Sequence, residues 1–321
     1  MKKTLIALAA ASALLLSGCA GGASTPTPAE TGGAALTPVK VAVVPVADVA
    51  PIYLGVEQGF FKEEGLDVTL QNAQGAAAAV PLLLNGEIQF AYGALIPMIP
   101  IVASGVPAQF VVGGIAKPAS PEEDYSALIV AKDSGIESLS ELAGKRVAIN
   151  ALRGGPHLST VLAFEAAGVD PNTVEFVELP MADGMGAVDR GDVDAAYLAE
   201  PFTSQAVAAG YPVVSSPVYE TAPDGPTSGY FSVLPFIEGN EDTVDAFVRA
   251  MEKSVEYANS HTDEVRAQIA EYSGMDAAAV ASMRIPTFTS DSVSTGLKQQ
   301  IDQLVSVGWL ENAPDAASMV R

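Results

Sequence analysis

Apolar and polar positions along this chain follow two alternating rhythms. Short runs rich in Val and Ile, such as 39–46, fit buried strands, and longer stretches opened by Pro or closed by Gly fit helices. The pattern predicts strands over 39–46, 68–71, 88–92 and 108–115, with helices over 51–64, 76–84 and 95–104 between them. After a loop at 117–124 that carries Pro and charge, the alternation restarts. Strands are expected over 125–131, 146–150, 174–179, 195–198 and 211–215, and helices over 138–142, 156–167, 181–190 and 201–209. Residues 217–228 hold three prolines and read as a loop, and 230–234 reads as a strand. From there the chain is helical, over 241–260, 263–273, 277–283 and 291–307, and the single Trp309 follows as a candidate pin for the C-terminus.

Strand–helix alternation implies a mostly parallel sheet covered by helices, and here it occurs twice. The fold class is therefore α/β with two lobes and a helical C-terminal tail. If 125–131 leads out of the first lobe and 230–234 leads back, lobe 1 comprises 39–124 plus 229–321 and lobe 2 comprises 125–228. Two crossing segments make a hinge, and the cleft between the lobes is a natural ligand site.

The first residues have a different character. Lys2 and Lys3 precede an uncharged apolar run, Thr4 to Leu16, too short to span a bilayer and shaped like a secretory signal. It ends in Leu16-Ser17-Gly18-Cys19, which resembles a bacterial lipobox. Residues 1–18 are expected to be a lipoprotein signal peptide, Cys19 the acylated residue, and 19–38, rich in Gly, Ala, Ser, Thr and Pro, a flexible tether. That places the body outside the cytoplasm, anchored to a membrane by two acyl chains. Cys19 is the only cysteine, so no disulfide and no thiolate nucleophile are expected. Composition adds one exclusion. With a formal charge of −22, the chain lacks the basic surface that nucleic acid requires, and the acidic surface favours a soluble monomer.

Four segments carry a family resemblance. Phe60-Phe61-Lys62-Glu63-Glu64-Gly65-Leu66-Asp67-Val68 resembles the GFF-x-x-EGL-x-V segment of the NMT1/THI5-like and SsuA-like periplasmic binding proteins. Leu84-Asn85-Gly86-Glu87-Ile88-Gln89-Phe90 is similar to the family's L-x-x-G-x-x-D-F, with Gln89 where Asp is common. Leu139-Ser140-Glu141-Leu142-Ala143-Gly144-Lys145-Arg146-Val147 resembles its L-x-x-L-x-GK-x-V, and Gly191-Asp192-Val193-Asp194-Ala195 with Glu200-Pro201 its G-x-x-DA … EP. The resemblance implies a type II periplasmic-binding-protein fold. It also implies an ABC-transporter substrate-binding protein whose ligand is a small molecule of the sulfonate, nitrate, taurine or thiamine-precursor pyrimidine classes. The expected partners are a membrane permease and its ATPase, and no cofactor is implied. The alternatives are an extracytoplasmic sensor subunit and, second to it, an enzyme on the same fold.

Ligands of such sheets bind beyond the carboxyl ends of the strands, beside helix N-termini, which selects particular loops. Asp48 follows the first strand and either accepts from a ligand or caps the next helix. Tyr53 lines the cleft or packs. Gln74, Gly75 and Ala76 could hold a carbonyl or anion on backbone amides, or simply open a helix. Tyr92 and Gly93 end a strand, suited to stacking on a flat ligand or to the core. Arg153 and Gly154 sit in a Gly-rich turn with His157 just inside the following helix. Arg153 is either an anion ligand or a solvated loop residue, and His157 a ligand or structural. Glu200, just past a strand, faces the cleft. The resemblance implies that an acid there can receive an amino group, while helix-dipole stabilisation is the other reading. Tyr230 could close over the ligand. Against catalysis, two widely spaced histidines make no metal site, and there is no Gly-x-Ser-x-Gly elbow, P-loop or Gly-x-Gly-x-x-Gly fingerprint.

Overall fold

The computed structural model describes residues 35–321, so the expected signal peptide, Cys19 and nearly all of the tether lie outside the described residues. Ten strands are present among them: β1 (Thr37–Val43), β2 (Leu66–Asn72), β3 (Phe90–Ala94), β4 (Ala108–Gly113), β5 (Ser126–Val130), β6 (Arg146–Ile149), β7 (Glu175–Glu178), β8 (Ala195–Ala199), β9 (Val213–Ser215) and β10 (Ser228–Val233). They form two sheets of five, ordered β2-β1-β3-β10-β4 and β7-β6-β8-β5-β9.

Both sheets are mixed rather than mostly parallel. β1 runs parallel to β2 and β3, and β6 parallel to β7 and β8, but β10 is antiparallel to β3 and β4, and β5 antiparallel to β8 and β9. The reason is where the chain crosses. The strands joined by helices finish at the edge facing the other lobe, whereas β5 and β10 begin there. Ser126 pairs with Ala199 at the end of β8, and Ser228 with Ala94 at the end of β3. A strand that starts where its neighbours stop must oppose them.

The inner strands of each sheet are buried on both faces, which is why they read as continuous apolar runs, whereas the edge strands β2 and β7 are more polar and partly exposed. On one side of the first sheet, Val41, Val43, Phe90 and Tyr230 pack with Ile52, Phe247 and Met251 from helices Ala50–Gln58 and Glu241–Ser260. On the other, Ala91, Phe110 and Phe231 meet Ala79, Met98, Leu297 and Ile301 from helices Ala76–Leu84, Leu95–Ala103 and Ser294–Ser306. Helix Gly155–Ala166 covers one face of the second sheet through Ala163 and Phe164, and helices Gly184–Arg190 and Phe202–Ala208 cover the other.

Three expected elements differ. The helix read over 51–64 breaks at Gly59, whose φ of 85° ends one helix and starts a short second one, Phe60–Glu63. The segment 217–228, read as a loop from its prolines, contains helix Pro217–Thr221. Pro217 opens the first turn, and Glu220 accepts from the Ser216 N–H at 2.9 Å and the Ser215 hydroxyl at 2.7 Å. Helix Leu234–Gly239, directly after β10, was not expected. Trp309 does pin the tail: it packs on the second cluster of lobe 1 and lies 4.7 Å from the His157 ring.

Candidate ligand-binding site

A cavity of about 230 Å³ lies where the strands of the two sheets end. From the first sheet's side it receives Asp48, in a 3-10 turn after β1, Ala94 and Ile96 beyond β3, Ser228 at the start of β10, and Gln300 and Gln303 from helix Ser294–Ser306. From the second it receives Tyr197 and Ala199 at the end of β8. One face of helix Gly155–Ala166 joins them through Gly155, Leu158, Ser159 and Leu162, at the spacing that puts residues on a single helical stripe. The two crossing segments supply the rest of the wall: Ile115 and Tyr125 on the way out, Val218, Thr221 to Pro223 and Thr227 on the way back.

Asp48 is the one carboxylate among these residues. The Tyr92 hydroxyl is 2.8 Å from its Oδ2 and 2.7 Å from the Ser228 hydroxyl, which also accepts from the Ile115 N–H at 3.2 Å. With one proton to give, Tyr92 donates to the carboxylate, the stronger acceptor, and receives from Ser228. Tyr92 thus stands behind the cavity wall and orients Asp48. Burial pushes the Asp48 carboxyl up from its ordinary value, only partly offset by the Tyr92 hydrogen bond. Burial likewise holds the Tyr125 and Tyr197 phenols well above theirs, so both line the cavity as neutral hydroxyls. Gln300 is 3% exposed, and its Oε1 has no hydrogen-bond partner among the described residues.

Of the residues selected from sequence, Asp48 lines the cavity and Tyr92 supports it. The others lie elsewhere. Tyr53 stacks on Tyr272 with centroids 4.2 Å apart. Gln74 is exposed, Gly75 opens helix Ala76–Leu84 at φ 133°, and Ala76 is buried against Gly93. A Cβ at Gly93 would come within 2.7 Å of the Ala76 Cβ, so this glycine serves close packing of helix on strand. Arg153 has an exposed side chain and a left-handed backbone, φ 59°. Its N–H donates to Nδ1 of His157 at 2.9 Å. Gly154 is the N-cap of the helix. His157 is buried between Phe176 and Trp309, and burial with the Arg153 charge lowers it to about 4, so it serves as a neutral packing residue. Glu200 accepts from the Ser204 hydroxyl at 2.7 Å and the Arg284 N–H at 3.1 Å, and so ties lobe 2 to the C-terminal tail. Tyr230 is 1% exposed in the core of lobe 1, edge-on to Tyr92 and Phe247, with its hydroxyl unpartnered.

Sequence reasoning missed Tyr125, Tyr197 and Gln300. Gln300 carried a usable signal, because it is a polar residue on the buried face of an amphipathic helix, beside Leu297, Ile301 and Leu304.

A model of the family described as NMT1/THI5 like matches residues 46–265. The chain belongs to this family. The match runs from just before Asp48 through both crossings and into the C-terminal helices, so it covers most of the cavity wall. Among NMT1/THI5-like relatives, a 4-amino-5-hydroxymethyl-2-methylpyrimidine phosphate synthase of Aspergillus parasiticus is 26% identical over 147 residues, 46% of this chain and 40% of its own. A taurine-binding periplasmic protein of Escherichia coli K12 is 30% identical over 142 residues, 44% of this chain and 42% of its own. The chain therefore aligns with less than half the length of each. The crystal structure of the periplasmic aliphatic sulphonate binding protein SsuA from Escherichia coli superposes with a TM-score of 0.75 at 19% identity, covering 88% of this chain and 97% of that one. The fold is that of the periplasmic binding proteins, as the sequence resemblance implied.

Proposed function

We propose that this chain is the extracytoplasmic solute-binding component of an ABC importer. It captures a small organic molecule between its lobes and hands it to a membrane permease driven by an ATPase. The observation that carries the reading is a cavity walled by both sheets and by both segments that connect them. A ligand there touches both lobes at once and favours their closed arrangement over an open one. Taurine and sulfonates, named for relatives, and pyrimidines, named for the synthases, are the first classes to consider. Binding is preferred to catalysis because the lining residues contain no nucleophile–base pair: their polar groups are one carboxylate, hydroxyls and carboxamides. Lipidation of Cys19 would hold the body at the membrane, and Cys19→Ala should release it into the soluble fraction.

The test is a thermal-shift screen of the purified protein against organosulfonates, nitrate, pyrimidines and small amines. Ligand at a hundred times its dissociation constant should stabilise the fold by about 2.7 kcal/mol, a readable rise in melting temperature. Turnover of any of these compounds at catalytic protein levels would replace the binding reading with an enzymatic one.

A further inference from the structure

The cavity's electrostatics are one-sided. Asp48 is its only acid, and its described lining includes no Lys, Arg or His. Helix N-termini are the other common source of positive potential, and two of them reach the cavity wall. Both are blunted. In helix Leu95–Ala103 the first N–H is already given to the Thr227 carbonyl at 3.0 Å, and Pro97 has none to give. In helix Gly155–Ala166 the second residue is Pro156, which has no N–H to give. Gln300 adds an acceptor, its Oε1, that nothing in the wall satisfies.

Thr221, Ala222, Pro223 and Gln303 are shared with an adjoining outer recess of about 360 Å³, which also carries Lys117, Asp224 and Asp302. Both carboxylates there are paired, Asp224 with Lys117 at 3.9 Å and Asp302 with Lys298 at 2.6 Å, so the recess has no strong sign of its own and selection falls to the cavity.

We propose that the ligand of this site is an organic amine or amidine with a compact apolar body, its N–H groups received by Asp48, and that sulfonates and nitrate are not taken. This rests on the reading of the cavity as a solute site and narrows it. An apolar body suits the wall of Ile96, Ile115, Leu158, Leu162 and Val218. A positive nitrogen removes the cost of an ionised carboxylate in an apolar cavity, the cost that raises Asp48 while the site lacks a counter-charge. An anion would meet the opposite situation and would require Asp48 to stay protonated.

The two ligand signs thus predict opposite pH dependences. The titratable groups facing Asp48 are the phenols of Tyr92, Tyr125, Tyr230 and Tyr272, all raised by burial. None of these phenols changes charge below pH 8, so Asp48 is the one lining group that titrates in the acid to neutral range; Asp124, Glu200 and His157, which also titrate there, stand outside the lining and are separated from it by the Asp48→Asn comparison.

The experiment is titration calorimetry of the purified full chain with one apolar body and varied charge: benzylamine, benzamidine and benzenesulfonate, with nitrate alongside. The amine and amidine are expected to bind, more tightly as pH rises from 4 to 7. Asp48→Asn should weaken them about 10- to 100-fold, the scale of a hydrogen bond to a charged group. Benzenesulfonate or nitrate binding more tightly than benzylamine would overturn the proposal and leave the solute-binding reading intact. So would an amine affinity indifferent to both pH and Asp48→Asn. Binding by neither amine nor amidine also overturns it, and the solute-binding reading then rests on the wider thermal screen alone.

Discussion

His157 is the residue whose chemistry is most constrained by its neighbours. Its Nδ1 accepts the Arg153 N–H, which requires the neutral ring, and the ring is packed between Phe176 and Trp309. The folded protein therefore binds less proton at this site than the unfolded chain between pH 6.5 and about 4. Its contribution to stability is complete above pH 6.5 and is lost as pH falls through that window. At about 1.4 kcal/mol per unit, and allowing for partial solvent screening, wild type should lose roughly 2 kcal/mol more than His157→Gln between pH 7 and pH 4. Urea unfolding at both pH values measures this, and equal losses in the two proteins would show that the ring titrates normally. The same turn shows why site residues were only partly legible. Asp48 could be found because it lies in the loop after a strand that ends at the cleft. Arg153 has the right charge in a plausible loop, but its left-handed backbone and exposed side chain are settled by the bond to His157, four residues on. Tyr125, Tyr197 and Gln300 converge from three distant segments, and no local pattern announces that meeting.

Among the elements, helix Ala50–Gln58 matters most to the position of Asp48, because the 3-10 turn that holds Asp48 runs directly into it. This helix lies close against helix Glu241–Ser260, and the contact is set by Gly55. A methyl group there would collide with the Ser254 hydroxyl and come within 2.9 Å of the Phe61 ring. Gly55→Ala should therefore destabilise the protein by about 1–3 kcal/mol, despite the better helix propensity of Ala. A melting temperature equal to wild type would mean that the two helices separate at little cost. Periodicity made most elements legible, and the helix over 76–84 was read with the bounds it has. What periodicity cannot carry is strand direction. β5 and β10 look like any other buried strand in sequence. Their antiparallel sense follows only from the chain's entering each sheet at the edge where its neighbours end.

At the scale of the whole molecule, the crossings are both connectors and cavity wall. Ile115 and Tyr125 lie on one, and Val218 to Pro223 and Thr227 on the other, so a ligand that touches them is in contact with the hinge itself. The return crossing is further held by helix Ser294–Ser306. Gln303 donates to the Thr221 carbonyl at 2.7 Å, and Gln299 accepts from the Asp224 N–H at 2.8 Å. Lobe 1 thereby grips the segment that closes the cavity on lobe 2's side. Glu200 and Arg284 make a second such tie on the far side of Tyr125.

Trp309 belongs to the tail that packs on lobe 1, while His157 belongs to a helix of lobe 2, and their rings are 4.7 Å apart. The chain has no other tryptophan, so all of its indole emission originates at the seam between the lobes. A parting of the lobes about a pivot opposite this seam carries that indole away from the imidazole and into water. The protein thus contains its own optical gauge. An unlabelled sample should shift its emission to the blue as a saturating ligand is added, with stopped-flow traces timing the closure. A spectrum that ignores a ligand known to bind would place the pivot beside Trp309 instead of opposite it.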